Sequence, residues 1–574
     1  MNRLIIFSIA LCSLNIVNSQ INFENRANEL GIDFTCGTTY VGNGVSFFDF
    51  DNDGWDDLSF TTEDGEFPEF YKNFNGQFLS INLNLDGVNY QTKQINWVDF
   101  DNDGDNDLFI TSNTDGNRLF ENTGNLIFED ITMSAGFSAL NIMTYGASWG
   151  DYNNDGFLDV FITNRDSTAF FNNPNYLYKN NGDGTFTDVS EIAGIDRLKH
   201  LSFCSAWIDI NNDGFQDIYI SNDKKEQPFH RNQMYKNNGD GTFTEIGESS
   251  GTNILIDAMT VTVGDYNSDG WFDIYVTNLG ASVFLKNNGD ETFTDIAATT
   301  NTEFNSNGWG AIFLDGDNDA DIDLYVSGAL VGYPGYASAA FYENLGTGTF
   351  QIPTNAGFEN DEGYSHSNAI GDINNDGLAD FVVTNTNDQN VFLWENKNAD
   401  NNNWLKVNLE GTLSNKNGIG SVIELSSNGQ VQYRYTHRGE GYLSQNSSSE
   451  FFGLGVNTTI DYIKIKWLSG TEDILFNIPI NEAINIVEGS SLSLNEFQEN
   501  TVSLFPNPVK NILTIKTNFV IEEIELFNIL NQSVLKNTYF DREISIDISE
   551  LKSGIYFASI KTTTTNTTRK FIKN

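Results

Sequence analysis

The chain has 574 residues and a formal net charge of -49 at neutral pH, with a pI near 4.1. It is too long for one ordinary hydrophobic core, and its acidity makes nucleic acid an unlikely partner on electrostatic grounds. Phe, Trp and Tyr make up 13% of the residues, far more than a disordered acidic tail contains. We therefore predict a folded protein of several structural units that does not bind nucleic acid.

The N-terminus has the pattern of a secretory signal peptide. Arg3 precedes an apolar run from Leu4 to about Val17, and the small Ser19 follows, so residues 1–19 are predicted to be cleaved during export. Leu11 is too large for the cleavage box of a lipoprotein, which disfavours lipid attachment at Cys12. No later stretch approaches the roughly 18 apolar residues of a membrane span, so the mature chain is predicted to have none.

Only Cys36 and Cys204 remain in the mature chain. Two cysteines exclude a disulfide framework of the kind that staples small secreted domains, but they leave a single bridge open.

An acidic nine-residue motif recurs seven times. Its copies begin at Asp49, Asp99, Asp151, Asp209, Asp265, Asp315 and Asp372, at intervals of 50, 52, 58, 56, 50 and 57 residues. A period of this length fits one four-stranded blade of a β-propeller per repeat. Strand-forming runs such as Trp97-Val98 and Leu108-Phe109-Ile110 flank the motif, so we predict that it is the loop of a hairpin.

The two ends of the repeat array complement each other. Complete repeats continue beyond a Gly-rich outer hairpin into a further strand, as in residues 186–195, whereas the last repeat stops near Asn396. The matching piece lies near the start of the mature chain, in residues 23–32. We predict that this segment pairs into the seventh blade and closes the ring, which leaves no bare sheet edge.

The spacing within each motif suits Ca²⁺, which takes roughly six to eight oxygen ligands. Side chains at positions one, three, five and nine and a backbone carbonyl at position seven can converge on one point, while Gly at position six permits the sharp turn. We predict up to seven Ca²⁺ ions. The ligand residues are Asp49, Asp51, Asp53, Trp55 and Asp57 in loop 1; Asp99, Asp101, Asp103, Asp105 and Asp107 in loop 2; Asp151, Asn153, Asp155, Phe157 and Asp159 in loop 3; Asp209, Asn211, Asp213, Phe215 and Asp217 in loop 4; Asp265, Asn267, Asp269, Trp271 and Asp273 in loop 5; Asp315, Asp317, Asp319, Asp321 and Asp323 in loop 6; and Asp372, Asn374, Asp376, Leu378 and Asp380 in loop 7.

The seven loops are not equivalent. Loops 3, 4, 5 and 7 carry Asn at position three, and the lower charge predicts weaker binding. Loop 6 has Ala320 where the others have glycine, which costs roughly 1 kcal/mol if that position needs a left-handed backbone. A plain polar turn is the alternative for any single copy, but seven copies that all keep the ninth Asp favour metal sites.

These repeats resemble the FG-GAP or VCBS calcium-loop repeats of integrin-α-type seven-bladed propellers, and the resemblance covers residues 20–398. It implies that the ions brace the blades and perform no chemistry. From residue 404 to 490 the pattern changes, and segments such as Asn417-Gly418-Ile419-Gly420 and Gly441-Tyr442-Leu443-Ser444-Gln445 resemble the ASPIC/UnbV domain of the cartilage-acidic-protein family.

Residues 501–574 form a third pattern. Phe505-Pro506-Asn507-Pro508 and the final Lys570-Phe571-Ile572-Lys573 resemble a type A C-terminal sorting domain of the type IX secretion system. This resemblance implies the type IX machinery as a partner and a secreted or outer-membrane-surface location. The predicted fold class is all-β, a seven-bladed β-propeller followed by two small β-sandwich domains.

The sequence contains no evident catalytic motif. His200, His230, His366 and His437 are scattered without metal-ligand spacing, and neither a nucleophile elbow nor a phosphate loop is present. Two functions stay open. The favoured one is a non-enzymatic binding or adhesion protein for an extracellular glycan or protein, with the less regular segments 196–203, 223–231 and 329–339 as its recognition face. The alternative is a polysaccharide lyase in which His200 or His230 abstracts a proton.

Overall fold

The computed structural model describes residues 21–137, 142–165, 173–224, 230–329, 337–358, 361–398, 402–491, 503–528, 532–562 and 566–574. The predicted signal peptide lies outside these ranges. The described chain is almost entirely β-strand, with two short helices at Gly247–Ser250 and Ala297–Thr300. No helix within these ranges is both long and apolar enough to cross a membrane. The chain divides into two compact units, Met1–Gly489 and Ser490–Asn574.

The described part of the first unit contains seven antiparallel sheets, one for each blade. The four strands of a blade lie side by side in its sheet. Blade 1 comprises Val45–Phe48, Asp57–Phe60, Glu69–Asn73 and Phe78–Ile81; blade 2 Thr92–Val98, Asp107–Ser112, Arg118–Asn122 and Phe128–Asp130; blade 3 Thr144–Gly150, Asp159–Asn164, Tyr176–Asn180 and Phe186–Asp188; blade 4 Ser202–Ile208, Asp217–Asn222, Gln233–Asn237 and Phe243–Glu245; blade 5 Thr262–Gly264, Asp273–Val276, Val283–Asn287 and Phe293–Asp295; blade 6 Ser306–Leu314, Asp323–Gly328, Ala339–Asn344 and Phe350–Gln351; and blade 7 Ser365–Gly371, Asp380–Asn385, Phe392–Asn396 and Phe23–Asn25. Leu279–Gly280 adds a short strand beside the first strand of blade 6.

The blades form a closed ring around their first strands. The first strand of each blade contacts that of the next, and the first strand of blade 7 contacts that of blade 1. These inner strands are nearly fully buried because neighbouring blades cover both of their faces. Large aromatic side chains fill the space between blades, as where Trp97 stacks on Phe50 at a centroid distance of 4.9 Å. The predicted β-propeller is confirmed.

The N-terminal segment closes the ring as predicted. Phe23–Asn25 pairs antiparallel with Phe392–Asn396, the third strand of blade 7. The ring of Phe23 is buried against Phe341 and Phe381, at centroid distances of 5.6 and 5.1 Å. Blade 7 therefore consists of strands from opposite ends of the repeat array, which makes the ring depend on one long-range pairing.

Because Phe23 fills a core position in the closing strand, Phe23→Ala is expected to lower the free energy of unfolding by about 3–5 kcal/mol. Urea denaturation of the mature chain measures this loss. Phe67→Ala is the matched control, since Phe67 is 52% exposed and its truncation leaves no cavity. Equal urea midpoints for the two variants would mean that the closing strand adds no stability.

Residues 402–489 form a second module of two facing sheets. In one, Asn403–Glu410 lies between Glu450–Gly455 and Ala483–Val487. The other has the order Gln430–Tyr435, Val422–Ser427, Tyr462–Lys466 and Glu472–Leu475. The two sheets share one apolar core that includes Leu405, Ile423 and Trp467. The alternating pattern of the sequence predicted this sandwich.

One segment of the second module, residues 438–447, enters the ring, and we call it the axial plug. Its strand Ser444–Gln445 pairs in parallel with Val45 and Ser46 on the inner strand of blade 1. The Gln445 amide accepts a hydrogen bond from the backbone N–H of Trp97 at 2.8 Å and donates one to the carbonyl of Trp97 at 3.0 Å. Propeller and plug thus share backbone hydrogen bonds.

The plug also bonds to other blades. The backbone N–H of Trp149 in blade 3 donates to the carbonyl of Arg438, and the N–H of Ser447 donates to the carbonyl of Ile370 in blade 7. Arg438 is buried, with its guanidinium 4.6 Å from the ring centroid of Phe48. The propeller and the second module are therefore one compact unit, whereas the sequence suggested two successive domains.

The second unit is a sheet of five described strands, Ser503–Phe505, Ile512–Asn528, Ser533–Asp547, Gly554–Thr562 and Asn566–Lys573. The long strand Ile512–Asn528 pairs with both Ser533–Asp547 and Gly554–Thr562. Its apolar core includes Leu513, Leu526 and Phe571.

Cys36 and Cys204, the two cysteines among the described residues, are buried and unpaired. Cys36 belongs to the apolar core of blade 1, and Cys204 lies among aromatic side chains at the centre of the ring. The bridge that the sequence left open is not formed, and burial raises the pKa of the Cys204 thiol to about 12.

Candidate metal loops and the opposite face

Each acidic loop is a tight turn that its first Asp holds together. In loop 1 the carboxylate of Asp49 accepts the backbone N–H groups of Asp53 and Gly54, at 3.0 and 2.7 Å. The same pair of bonds recurs in the other six loops. The N–H of the position-seven residue donates to the carboxylate at position five, in loop 1 from Trp55 to Asp53. The predicted turn is therefore present in all seven repeats.

The ninth Asp of each motif begins the second strand and is buried. In loop 1 both oxygens of Asp57 accept backbone N–H groups, from Asn73 at 2.7 Å and from Phe50 at 3.2 Å. Burial is the largest influence on this carboxyl and raises the pKa of Asp57 to about 9, which the bond from Asn73 only partly offsets and the nearby Asp51 reinforces. A cation beside a buried acidic group of this kind favours its ionised form.

Three loops bring three carboxylates together. One oxygen from each member of Asp49, Asp51 and Asp53, of Asp99, Asp101 and Asp107, and of Asp315, Asp317 and Asp323 lies within 4.8 Å of the others in its set. Oxygen-only donors at this spacing fit a hard cation such as Ca²⁺. These are loops 1, 2 and 6, which carry Asp at position three, and the weaker binding predicted for the other four loops stays a prediction.

Lysines that the sequence analysis missed lie against the loops. The Lys72 ammonium contacts Asp51 and lies 2.9 Å from Asp53, Lys179 lies 3.1 Å from Asp155, and Lys286 lies 3.3 Å from Asp269. Each lysine belongs to a Lys-Asn pair in the third strand of its blade, and this repeated pair was the available signal. In loops 1, 3 and 5 an amine therefore shares the carboxylates that a metal would use.

Six of the seven loops donate a side-chain hydrogen bond to the loop that follows, and loop 5, with Ser268 at position four, is the exception among the described residues. The Asn52 side chain donates to the carbonyl of Gly104 in the next loop, and Asn375 in loop 7 donates back to the carbonyl of Gly54 in loop 1. Loops 2, 3, 4 and 6 make the equivalent bond from their position-four asparagines. We therefore expect that the ordering of one loop favours the ordering of its bonded neighbour.

The second module docks on the loop face. The Lys406 ammonium lies 3.0 Å from Asp372, the first ligand position of loop 7, and 3.0 Å from the side-chain oxygen of Asn375. The side chains of Lys406 and Asp372 are 6% and 0% exposed. At Gly453 the backbone lies so close to Asp315 of loop 6 that a Cβ would clash with its carboxylate. The loops are thus an interface within the first unit as well as candidate metal sites.

Lys406→Met is expected to lower the free energy of unfolding by about 3–5 kcal/mol in a chelator, because it leaves a buried carboxylate without its cation. Millimolar CaCl₂ should restore part of this loss, since a metal at loop 7 would neutralise Asp372. Denaturation with and without CaCl₂ measures both effects. Lys464→Met is the control. Its partner Glu472 has a side chain that is 50% exposed, so this ion pair contributes about 1 kcal/mol at most. A Lys406→Met loss as small as that of the control would contradict the role of this ion pair.

Ala320 adopts the left-handed conformation that glycine has in the other loops, with φ of 86° against 87° for Gly54. Ala320→Gly should therefore stabilise the protein by about 1 kcal/mol, and Gly54→Ala should destabilise it by a similar amount. No heavy atom lies within 4 Å of a Cβ built on Gly54, so the control isolates backbone strain. Chemical denaturation of both variants tests the pair, and shifts of the same sign would refute the explanation.

The less regular segments meet on the face opposite the loops. Residue 201 precedes the first strand of blade 4, and residues 223 and 329 follow the second strands of blades 4 and 6. The β-bridges Arg165↔Leu201 and Ala329↔Tyr364 connect neighbouring blades on this face. Residues 225–229 and 330–336 of the predicted recognition segments lie outside the described residues. The described parts of all three segments share this face.

Two of the four histidines lie together on this face. The rings of His200 and His230 have centroids 6.2 Å apart, and Nε2 of His200 is 3.1 Å from Asp196. Burial, followed by the neighbouring His200, lowers the pKa of His230 to about 4. His366 instead stacks near Trp309 at the ring centre, and His437 lies beside Tyr435.

The closed ring has seven blades, and each blade carries an acidic loop between its first and second strands. This arrangement defines a seven-bladed β-propeller with repeated acidic loops. The FG-GAP-like repeat family matches residues 99–162, 151–220, 209–276, 265–326 and 329–383. The ASPIC and UnbV family matches residues 411–493, and the secretion system C-terminal sorting domain matches residues 503–574. Residues 99–383 thus carry FG-GAP-like repeats and residues 411–493 match the ASPIC and UnbV family. The type IX sorting domain at residues 503–574 indicates export to the cell surface or outside.

The curated relatives of this chain include cartilage acidic protein 1 of several vertebrates. Cartilage acidic protein 1 of Xenopus tropicalis is 22% identical over 361 residues, which are 61% of this chain and 46% of that protein. The human protein of that name is 29% identical over 156 residues, or 27% and 22% of the two chains. The chain thus spans less than half the length of these relatives.

Among solved structures, an Agrocybe aegerita lectin that recognises non-reducing terminal N-acetylglucosamine has a TM-score of 0.37 at 18% identity, over 56% of this chain and 82% of that one. The Dos1 propeller has a TM-score of 0.37 at 9% identity, over 65% and 95%. We draw no conclusion about the function of this chain from these two structural similarities.

Proposed function

We propose that this exported propeller is a non-enzymatic binding protein, stabilised by Ca²⁺ at its loops, whose ligand is an extracellular glycan or protein. The observation that supports it best is the convergence of the less regular segments on one face, while the metal loops and the second module occupy the other. Binding residues concentrate in irregular segments that a rigid scaffold positions, and the closed ring is such a scaffold.

The candidate metal in this proposal is structural. Its ligands would be the loop residues already named, which lie at the interface with the second module and away from the face of the less regular segments. When bound, the ion neutralises buried carboxylates and rigidifies the ring of loops. A ligand on the face of the less regular segments would therefore depend on Ca²⁺ through the stability of the scaffold.

The alternative is a polysaccharide lyase, and the proximity of His200 and His230 favours it over other enzymatic functions. A general base works best when its pKa is near the working pH. The low pKa of His230 matches that requirement poorly, so we prefer the binding function.

A combined assay separates the two. The mature chain in CaCl₂ is applied to arrays of extracellular glycans and matrix proteins, and acidic polysaccharides are followed by ultraviolet absorbance for unsaturated products. Saturable binding without product formation is the expected result. Product formation that His230→Ala abolishes would establish the lyase instead, and an absence of any binding would overturn the proposal.

A further inference from the structure

We propose that the mouth of the central channel, on the face opposite the metal loops, binds one acidic sugar residue of an extracellular glycan through its carboxylate and its ring face. This inference rests on the proposed binding function and specifies its ligand. It concerns the cavity enclosed by residues from blades 1, 3, 4, 5, 6 and 7, which we call the mouth cavity.

The mouth cavity has a volume of about 210 Å³, and its wall includes Arg165, Phe203, Asp223, Trp309 and His366. Sites for drug-sized ligands measure roughly 300–1,000 Å³, so this cavity suits a single sugar residue. The described parts of the three recognition segments end at its rim, with Phe203, Asp223 and Ala329 all in its lining.

Aromatic rings form much of the wall. The Trp309 ring lies 4.6 Å from His366 and 5.9 Å from Phe203, measured between centroids. Behind them Tyr442 of the axial plug packs at 5.1 Å from Trp309 and 5.6 Å from Phe203, which fixes the two rings in place. Rigid aromatic surfaces with a few polar groups are typical of sites for compact polar ligands such as sugars.

Two buried donors in this wall lack partners among the described residues. They are Nε of Arg165 and Nε1 of Trp309, whose residues are 5% and 7% exposed. An unsatisfied buried donor costs roughly 1–3 kcal/mol, so each is a reason to expect an acceptor from outside the chain. Carboxylate and hydroxyl oxygens of an acidic sugar supply such acceptors.

Two cations, Arg165 and Lys224, balance two carboxylates, Asp223 and Asp257, in the wall of the cavity, although the chain as a whole is strongly acidic. Arg165 pairs with Asp223 and lies over Phe203 at 4.6 Å, and Lys224 is at the rim. Lys93 is fully buried behind the wall, where its ammonium donates to the carbonyls of Tyr40 and Gly42 at 3.0 and 2.7 Å.

The acidic groups that face these cations are Asp223 and Asp257. Burial and the charge of Arg165 lower the pKa of Lys93 to about 7, so the two cations repel each other. A ligand carboxylate would relieve that repulsion, and guanidinium groups bind carboxylates with favourable geometry.

The test uses the full mature chain in CaCl₂ and measures Kd by calorimetry for a galacturonate tetrasaccharide and for the matched galactose tetrasaccharide. We expect saturable binding of the acidic saccharide and at least about tenfold weaker binding of the neutral one, since a charge-assisted hydrogen bond is lost. Arg165→Gln and Trp309→Phe should each weaken acidic binding by about tenfold. Lys466→Gln, an exposed lysine of the second module, should leave it unchanged.

Folding and binding failures are distinguished by melting each variant. Trp309→Phe keeps an aromatic ring, so it remains informative if Arg165→Gln destabilises the chain. Equal affinity for both saccharides, full competition by acetate, or unaltered binding by a folded Trp309→Phe variant would overturn the inference. If the arrays identify a different ligand that these variants still bind, the proposed binding function is supported but the mouth cavity is not its site. If nothing binds on any array, both the binding function and the mouth-cavity site are refuted.

Discussion

In excess EGTA the first unit is expected to melt at least about 10 °C below its melting temperature in millimolar CaCl₂. A site whose free ligand exceeds its Kd a hundredfold stabilises the folded state by about 2.7 kcal/mol. Three such sites, at the loops that bring three carboxylates together, would contribute about 8 kcal/mol. That is comparable to the whole net stability of an ordinary domain.

The physical origin of this dependence is the burial of acidic groups. Asp107 in loop 2 has its pKa raised to about 9, with burial as the largest cause, so its charge is unfavourable in the folded state without a cation nearby. The position-four asparagine bonds couple adjacent loops, and loss of one ion should loosen its neighbours. Loops 1, 3 and 5 should each depend less on the metal than loop 2, because Lys72, Lys179 and Lys286 already contact their carboxylates.

Calorimetry across a CaCl₂ series, with single-loop variants, tests both statements. Asp101→Asn in loop 2 should remove more of the Ca²⁺-dependent shift than Asp155→Asn in loop 3. Asp183→Asn is the control, since Asp183 is an exposed residue of an outer hairpin. A melting temperature that is the same in EGTA and in CaCl₂ would show that the loops are plain turns.

Gln445→Ala is expected to lower the free energy of unfolding by about 2–6 kcal/mol, the second largest effect we predict. The Gln445 side chain is fully buried and satisfies both the N–H and the carbonyl of Trp97. Its removal leaves two buried backbone groups without partners, at about 1–3 kcal/mol each. Gln430→Ala in the same module is the control, because that residue is exposed.

The plug also predicts how the first unit unfolds. Because its strand and its backbone bonds join blades 1, 2, 3 and 7 to the second module, the propeller and residues 402–489 should unfold in one transition. Tryptophan fluorescence and calorimetry should therefore report the same midpoint in urea or heat. Two separate transitions, or a Gln445→Ala variant as stable as Gln430→Ala, would contradict the insertion of the plug.

The periodic features of this protein could be predicted from its sequence because they are local. A nine-residue loop with Asp at its first and ninth positions specifies its own turn, and its repetition specifies one blade per copy. Ring closure by residues 23–32 could be predicted because the array lacks one strand at its end and carries a spare one at its start. Even the strain at Ala320 was predictable, since the glycine of six sister loops marks a left-handed position.

Only the tertiary structure decided which side chains meet inside the central channel and at its mouth. The plug contains Arg438 and Gln445, which local patterns assign to the surface, and their burial depends on partners about 290 or more residues away in the chain. The contact of Lys406 with Asp372 and the wall of the mouth cavity arise in the same way, from side chains that different blades bring together. Sequence periodicity therefore determined the repeated scaffold, whereas the non-repeated contacts at its axis followed from closing the ring, because closure alone sets which distant side chains meet.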